Sequence, residues 1–375
     1  MKVRISRSHV ILLCLLILMI RKFAGIISLF SVSVRFQHLT LLIPTILLLT
    51  CIFWKPVRIW NLILIPVGMI SYWKSKDDTL IILILLILAW GQRDANVLIR
   101  FWFEIQVTVL IACTGLYMFL LALGSPLAKT GLMDGRLRCY FMFNHPNNYS
   151  IQMFFCLMAF VYLYGRKVKK AWLCLIFIIF AVFFALLPKT YTATISMLCI
   201  GGLLLCTWYL RKHLKLIYGC FTVAIFVITY GCVALIYSGK GDFVSRVFSG
   251  SFYGRMNSAA TLLHEHPLTL FGRQMTELGR ITRINGDWNV EWADMAYTRC
   301  FMAFGIIGGA VLIFLLFRSF YGMVEKQCYG EALALAAVCI YGVSEWSAFS
   351  ITTAWGMIFL GEGLARHGAY IESRK

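Results

Sequence analysis

The side chains best suited to chemistry lie in one polar segment, 238–293, set between long apolar stretches. Its positive charges are five arginines, including Arg255, and one lysine. Arginine binds phosphate oxygens through two parallel hydrogen bonds and keeps its proton at physiological pH. The segment is therefore suited to a diphosphate ligand. The alternative is that these arginines pair with the acidic residues of the same segment in an ordinary hydrophilic loop, and the composition fits both interpretations.

A second polar segment, 124–148, combines basic residues with a histidine just before a predicted helix. Arg136 and Arg138 come first, and His145 is followed directly by Pro146. A proline disfavours the helical conformation of the residue before it and suits the first turn of a helix itself. His145 is therefore predicted near an N-cap, with its ring at the membrane surface. The same spacing also fits a polar helix start with no further role.

Other kinds of catalytic site find no support in the sequence. His264 and His266 lie two residues apart, so on a helix they would point to different faces, and no His-Glu-x-x-His pair is present. The polar segment 238–293 has no Gly-x-Ser-x-Gly motif, and the chain has no glycine-rich loop for ATP phosphates. We therefore expect neither a metal nor a cofactor.

The composition places these segments in a membrane protein. Hydrophobic residues make up 61% of the chain and charged residues only 14%. Apolar runs such as 80–90 and 171–187 are continuous rather than alternating, which predicts transmembrane helices and excludes an outer-membrane barrel. The net charge of +19 falls in clusters between these runs, so it reflects membrane topology rather than nucleic-acid binding.

We predict an all-α, polytopic fold of about 12 transmembrane helices in a single integral-membrane domain, 1–375. The predicted spans are 9–30, 39–54, 57–73, 79–92, 101–124, 146–164, 171–187, 190–208, 214–237, 295–317, 330–345 and 348–365. The basic clusters assign both chain ends to the cytoplasm, and the connections 125–145 and 238–293 to the outside. Segment 238–293 is then a large extracytoplasmic loop before the last three spans.

Several short motifs, taken together and in order, are similar to those of a known family. The chain resembles the Wzy-type polysaccharide polymerases of the O-antigen ligase-like family in His145-Pro146-Asn147, Ser249-Gly250 with the later Arg255, Leu270-Phe271-Gly272, Asp294-x-x-Tyr297 and Phe304-Gly305-Ile306-Ile307-Gly308. The resemblance runs from about residue 75 to the C-terminus. The sequence departs from the family pattern at one point. In the family, arginine commonly follows the Ser-Gly pair directly, whereas here four residues separate Gly250 from Arg255. This leaves Arg246 as an alternative.

The resemblance implies a metal-independent, GT-C-like membrane glycosyltransferase whose donor and acceptor are sugar repeats linked to a polyprenyl diphosphate. The arginines assigned to the diphosphate are Arg136, Arg138, Arg255 and Arg273. Cleavage of the bond between sugar and diphosphate builds negative charge on the leaving group, and fixed arginines stabilise that charge. The acceptor hydroxyl also needs a base, for which we favour Asp294, with His145 and His266 as alternatives.

The implied function is polymerisation of lipid-linked repeats into exopolysaccharide or capsule at the outer face of a bacterial cytoplasmic membrane. A ligase that transfers finished glycan to an acceptor uses the same donor and stays open. A lipid-linked oligosaccharide flippase or other transporter is less favoured, because it needs ionisable residues near the bilayer midplane. The expected partners are polyprenyl-diphosphate-linked oligosaccharide, membrane lipid, a flippase and chain-length regulator proteins, without nucleic acid.

Segment 238–293 is further predicted to fold back over the membrane ends of the spans. Its apolar residues, Phe252 among them, give it a face for the membrane interface. This arrangement brings Arg255 close to Arg138 and His145. Arg255 itself is predicted to stay exposed and therefore to contribute little to folding.

Overall fold

The computed structural model describes residues 6–30, 33–54, 59–91, 94–128, 130–133, 136–248, 250–274, 280–284, 287–291 and 294–364. Its α-helices are α1 (Arg7–Ile26), α2 (Val34–Phe53), α3 (Ile59–Leu62), α4 (Leu64–Ser75), α5 (Thr79–Trp90), α6 (Ala95–Ala122), α7 (Pro146–Tyr164), α8 (Lys170–Leu186), α9 (Tyr191–Tyr209), α10 (Leu214–Phe226), α11 (Cys232–Tyr237), α12 (Gly241–Val247), α13 (Ser251–Glu265), α14 (Ala296–Glu325) and α15 (Tyr329–Gly342). The strands form two antiparallel hairpins, β1 (Thr130–Met133) with β2 (Arg136–Cys139) and β3 (Arg280–Ile284) with β4 (Asp287–Glu291).

In the part of the chain that the structure describes, six helical stretches are long and apolar enough to cross a membrane, namely α1, α2, α6, α9, the continuous run α10–α11 and α14. Helices α5, α8 and α15 are also apolar but shorter, at 12, 17 and 14 residues. These helices confirm the prediction of an all-α membrane protein. The total of about 12 spans and the GT-C-like arrangement stay predictions.

Helix α5 lies inside the bundle. Every residue from Leu80 to Trp90 is buried, and the helix packs against α1, α2, α4 and α14. A helix that is apolar on all sides is stable only where other apolar groups surround it. The unbroken apolar run in the sequence therefore corresponds to an interior helix rather than to one that faces lipid.

The last predicted span, 348–365, differs from the α-helix expected there. Residues Trp355–Leu364 form 3-10 turns, and residues 351–360 are all buried. Non-helical backbone at membrane depth is tolerated only inside protein, where neighbouring groups complete its hydrogen bonds. Trp102 provides one such group, because its indole nitrogen donates to Thr352 O at 3.1 Å.

Helix α14 is interrupted at Gly305, about two and a half turns from its start. Gly305 has φ 75° and ψ 178°, so the helical hydrogen bonds break there. Residues 269–273, which follow α13, enter the gap and replace the lost backbone partners. The bonds are Ile306 N to Thr269 O (2.9 Å), Ile307 N to Leu270 O (3.1 Å) and Arg273 N to Met302 O (3.1 Å).

This insertion requires glycine on both sides of the contact. A Cβ atom on Gly272 would lie 1.8 Å from Ala303 O, and one on Gly305 would lie 2.4 Å from Leu270 O. Both glycines also have positive φ, which other residues rarely adopt. The Leu-Phe-Gly and Phe-Gly motifs of the sequence are therefore two halves of one backbone contact, which attaches the polar segment to α14.

Several helix ends meet at one end of the bundle, which we call the site face and define by Ile26, His145, Asp294 and Glu345. Asn144 N donates to Ile26 O at 2.9 Å, which joins the end of α1 to the start of α7. The residues just before α14 and just after α15 are joined by their contacts with α13. The polar segment therefore lies across the site face.

Candidate functional site

Arg255 on α13 contacts groups from two distant parts of the sequence. Its Nη2 lies 2.8 Å from Glu345 Oε1, and its Nε lies 4.0 Å from Asp294 Oδ2. Its Nη1 donates to the backbone carbonyl of Ser344. One guanidinium thus connects α13 with the segment that precedes α14 and with the segment that follows α15.

Arg255 lies on the buried face of helix α13, because Ala259 and Leu262 follow it at spacings of four and seven residues. Met256, Ala259 and Leu262 are buried, and the helix packs against α11. The helix begins after Gly250, whose φ of 68° is accessible to glycine without strain. The glycine of the Ser-Gly motif therefore sets where α13 starts, about one and a half turns before Arg255.

His145 caps α7, as predicted from the sequence. Its Nδ1 accepts a hydrogen bond from Asn147 N at 3.1 Å, and Pro146 lies in the first turn. The Asn147 side chain donates to Glu345 Oε1 at 2.7 Å. The same carboxylate oxygen therefore holds both Arg255 and the His-Pro-Asn motif, so two separate sequence motifs meet in one site.

Glu345 belongs to this site although none of the sequence motifs contains it. It ends the predicted span 330–345. An ionisable residue at the end of an apolar stretch is itself a signal of function, and that signal identifies Glu345. Burial raises the pKa of Glu345 above its ordinary value, an effect that the charge of Arg255 opposes.

The two carboxylates beside Arg255 differ in exposure. The side chain of Glu345 is 15% exposed, whereas that of Asp294 is 47% exposed. Glu345 is held by Arg255 and Asn147, while Asp294 lies at the edge of the guanidinium. A hydroxyl group that approaches the site from the surface therefore meets Asp294 before Glu345.

Tyr297, three residues after Asp294 in the same motif, is a packing residue. It is fully buried, and its hydroxyl donates to Cys339 O at 3.0 Å. This bond joins the first turn of α14 to α15. The tyrosine thus fixes the position of Asp294 relative to the segment that carries Glu345.

Arg273 and His266 lie on the same polar segment as Arg255 but take no part in its contacts with Glu345 and Asp294. Arg273 is held at the break in α14, where its Nε is buried without a hydrogen-bond partner among the described residues. His266 follows the last residue of α13, about 16 Å along the helix axis from Arg255. Within the described ranges, no hydrogen bond or ion pair joins either side chain to Glu345 or Asp294.

The two arginines of the earlier polar segment lie on hairpin β1–β2. Arg138 is buried and pairs with Gly131 in the strand register. The hairpin lies beside the end of α8, because Cys139 N donates to Leu187 O at 3.1 Å. The backbone of Arg136 pairs within the same hairpin, and its side chain lies outside the described residues. Both arginines therefore belong to a separate element from Arg255.

Arg255 is less exposed than predicted from the sequence. Its side chain is only 17% exposed, because α13 lies across the site face instead of projecting from it. A guanidinium this far from water is costly without a partner. The prediction of an exposed Arg255 is therefore wrong, and its small role in folding, which was argued from that exposure, stays an untested prediction.

The fold and these contacts define a helical membrane protein with a charged site at one end of its helix bundle. Comparison of the chain with protein-family profiles, with curated proteins and with solved structures found no match. We therefore base the functional proposal on the chemistry of the site.

Proposed function

We propose that this protein is a membrane glycosyltransferase that polymerises oligosaccharide repeats linked to a polyprenyl diphosphate. The observation that supports it most directly is the meeting of Arg255 with Asp294, Glu345 and the His-Pro-Asn motif. Transfer of a glycosyl group from a diphosphate needs a fixed positive charge for the leaving group and a base for the acceptor hydroxyl. Both groups are present in this site.

In this proposal Arg255 faces the leaving diphosphate. A guanidinium has five N–H donors, so its contacts with Ser344 and Glu345 leave others for a ligand. Because Glu345 already holds the guanidinium in place, little reorganisation is needed when negative charge develops. Arg273 is proposed as a second donor, since its Nε is buried at the helix break without a partner in the described part of the chain.

Asp294 is proposed as the base. Its exposed carboxylate accepts the proton of the acceptor hydroxyl, whose oxygen attacks the anomeric carbon of the donor sugar, and the polyprenyl diphosphate leaves. Glu345 lies behind the guanidinium and acts as a positioning residue. His145 is also assigned a positioning role, because its Nδ1 accepts the hydrogen bond that caps α7.

We place the site face at the outer side of a bacterial cytoplasmic membrane. Helix α7 starts at this face and has 19 residues, which span about 28 Å. The basic cluster 166–170 follows the far end of α7. By the positive-inside rule that end is cytoplasmic, so the site lies on the opposite side, where a lipid-linked repeat delivered by a flippase reaches it.

Proteoliposomes that contain the purified full-length protein test this function. The only sugar source is a polyprenyl-diphosphate oligosaccharide, with no nucleotide sugar. We expect a ladder of products that differ by whole repeats. Single transfer to a different acceptor would identify a ligase, and movement of the substrate across the bilayer at unchanged length would identify a flippase. Either result would overturn the polymerase.

A further inference from the structure

A second charged site lies at the site face, in a cavity of about 280 Å³. Its walls come from α1, α2, α5 and the segment that follows α15. Arg21 and Lys22 belong to α1, Asp78 precedes α5, and Trp346 directly follows Glu345. The glycosyl transfer proposed above uses none of these four lining residues.

The charges in this cavity do not balance. Arg21 forms an ion pair with Asp78, and its Nε is buried without a hydrogen-bond partner in the described residues. Lys22 is half-buried and, within the described ranges, has no ion-pair partner of its own. Asp78 and Asp77 attract it, but they pair with Arg21 and Arg299. A cation away from water is costly without a counter-charge. The cavity therefore favours an anionic ligand.

The uncharged part of the wall suits a sugar. Gln37, Ser347 and Ser350 supply amide and hydroxyl groups, which both donate and accept hydrogen bonds as sugar hydroxyls require. Trp346 adds an aromatic surface with a polar N–H group. The volume lies near the lower end of small-ligand sites, about 300 Å³, and thus fits a small group rather than a long oligosaccharide.

Local contacts place the cavity next to the transfer site. Trp346 lines the cavity, and its neighbour Glu345 pairs with Arg255. On the other side, Asn144 Nδ2 donates to the carbonyl oxygen of Gly25, which also lines the cavity. A glycan with its reacting end beside Arg255 can therefore place an adjacent sugar in this cavity.

We propose that the cavity binds an acidic sugar of the repeat unit, with the negatively charged group of that sugar beside Lys22 and Arg21. This inference rests on the proposed function, because the substrate of a glycan polymerase carries sugars next to the reacting bond. The cavity then selects repeat units with negative charge near that bond. An anionic phospholipid headgroup is another source of the same charge.

Binding to the full-length protein in nanodiscs of zwitterionic lipid tests the inference, with methyl β-glucuronide and methyl β-glucoside as matched probes. We expect the glucuronide to bind at least about tenfold more tightly. Lys22→Gln should remove this preference, whereas Lys22→Arg and the exposed control Lys74→Gln should keep it. Equal binding of both sugars to the parent overturns the inference. This outcome needs only the parent protein, so it does not depend on whether a variant folds. A preference that persists in Lys22→Gln also overturns it.

Two further arms separate the alternatives. A Lys22-dependent rise in Tm with phosphatidylglycerol, without binding of the glucuronide, assigns the cavity to lipid and overturns the sugar assignment. Arg255→Ala should bind the glucuronide like the parent, because Arg255 does not line the cavity. A parent that prefers the glucuronide but lengthens no glycan overturns the proposed function alone. An active parent without the preference overturns this inference alone.

Discussion

Each end of the bundle holds a partly buried ion pair, and the two pairs differ in their surroundings. Arg255 pairs with Glu345 at the site face, with side chains 17% and 15% exposed. Lys326 pairs with Glu362 at the far end of α14, with side chains 18% and 8% exposed. The Lys326 pair joins α14 to the last segment of the chain. The Arg255 pair joins three segments and has the exposed carboxylate of Asp294 beside it.

This comparison shows that burial of an ion pair does not by itself indicate function. The cost of removing two charges from water offsets much of their attraction in both places. The difference is that the site-face pair holds its guanidinium beside a carboxylate that solvent and ligands can reach. We therefore expect the Lys326 pair to serve stability and the Arg255 pair to serve activity as well.

The largest effect should come from detaching the polar segment from the bundle. In Gly272→Ala the new Cβ would lie 1.8 Å from Ala303 O, so the segment can no longer enter the break in α14. We expect a loss of more than about 4 kcal/mol of stability and no polymer, measured as Tm and product length. Gly254→Ala is the control, because a Cβ added there would meet no atom within 4 Å among the described residues beyond its own stretch of helix. A parent-like Tm in Gly272→Ala would contradict the insertion.

The second-largest effect is expected at the exposed carboxylate of Asp294. Asp294→Asn removes the proposed base without changing the size of the side chain, and the rate of chain lengthening should fall about 100- to 10,000-fold. The matched control is Glu362→Gln, which should lower Tm but leave the rate per folded molecule unchanged. A parent-like rate in Asp294→Asn at equal protein would remove Asp294 from the mechanism.

A smaller effect is expected from the arginine between the two carboxylates. Arg255→Ala should remove about 2–4 kcal/mol of transition-state stabilisation, about 30- to 1000-fold in rate. Arg255→Lys keeps the charge without the planar fork and should recover only part of the activity. Arg246→Ala, on the exposed side of α12, is the control. If Arg246→Ala lowered the rate of chain lengthening as much as Arg255→Ala, the contribution of Arg255 would be no greater than that of an exposed surface charge.

The smallest effect is on the pH dependence of stability. Burial raises the pKa of Glu345 in the folded protein. Its contribution to stability is therefore fully present below the ordinary value of 4.5 and is lost as the pH rises through the raised value. Glu345→Gln has no titrating proton at this position. The Tm of the variant minus the Tm of the parent should therefore increase as the pH rises from about 4 to about 8. A difference that stays constant across this range would show that Glu345 is not perturbed.

The sequence by itself determined the class of the protein and several local features. Continuous apolar runs identify a helical membrane protein, because hydropathy over one helix length decides insertion into a bilayer. The His145-Pro146 pair identifies the start of α7, because proline restricts only its immediate neighbours. Features that depend on a few adjacent residues are therefore open to prediction.

Only the tertiary structure decided which charged groups meet. Glu345, which pairs with Arg255, lies 90 positions later in the sequence, and the backbone of Arg273 is held at the break in α14 by Met302. The 3-10 turns Trp355–Leu364 likewise have a partner from a distant helix, because Ser319 Oγ of α14 donates to Leu360 O at 3.2 Å. An ion pair or a completed backbone hydrogen bond depends on the burial and geometry of groups far apart in the chain, which local hydropathy and spacing do not contain.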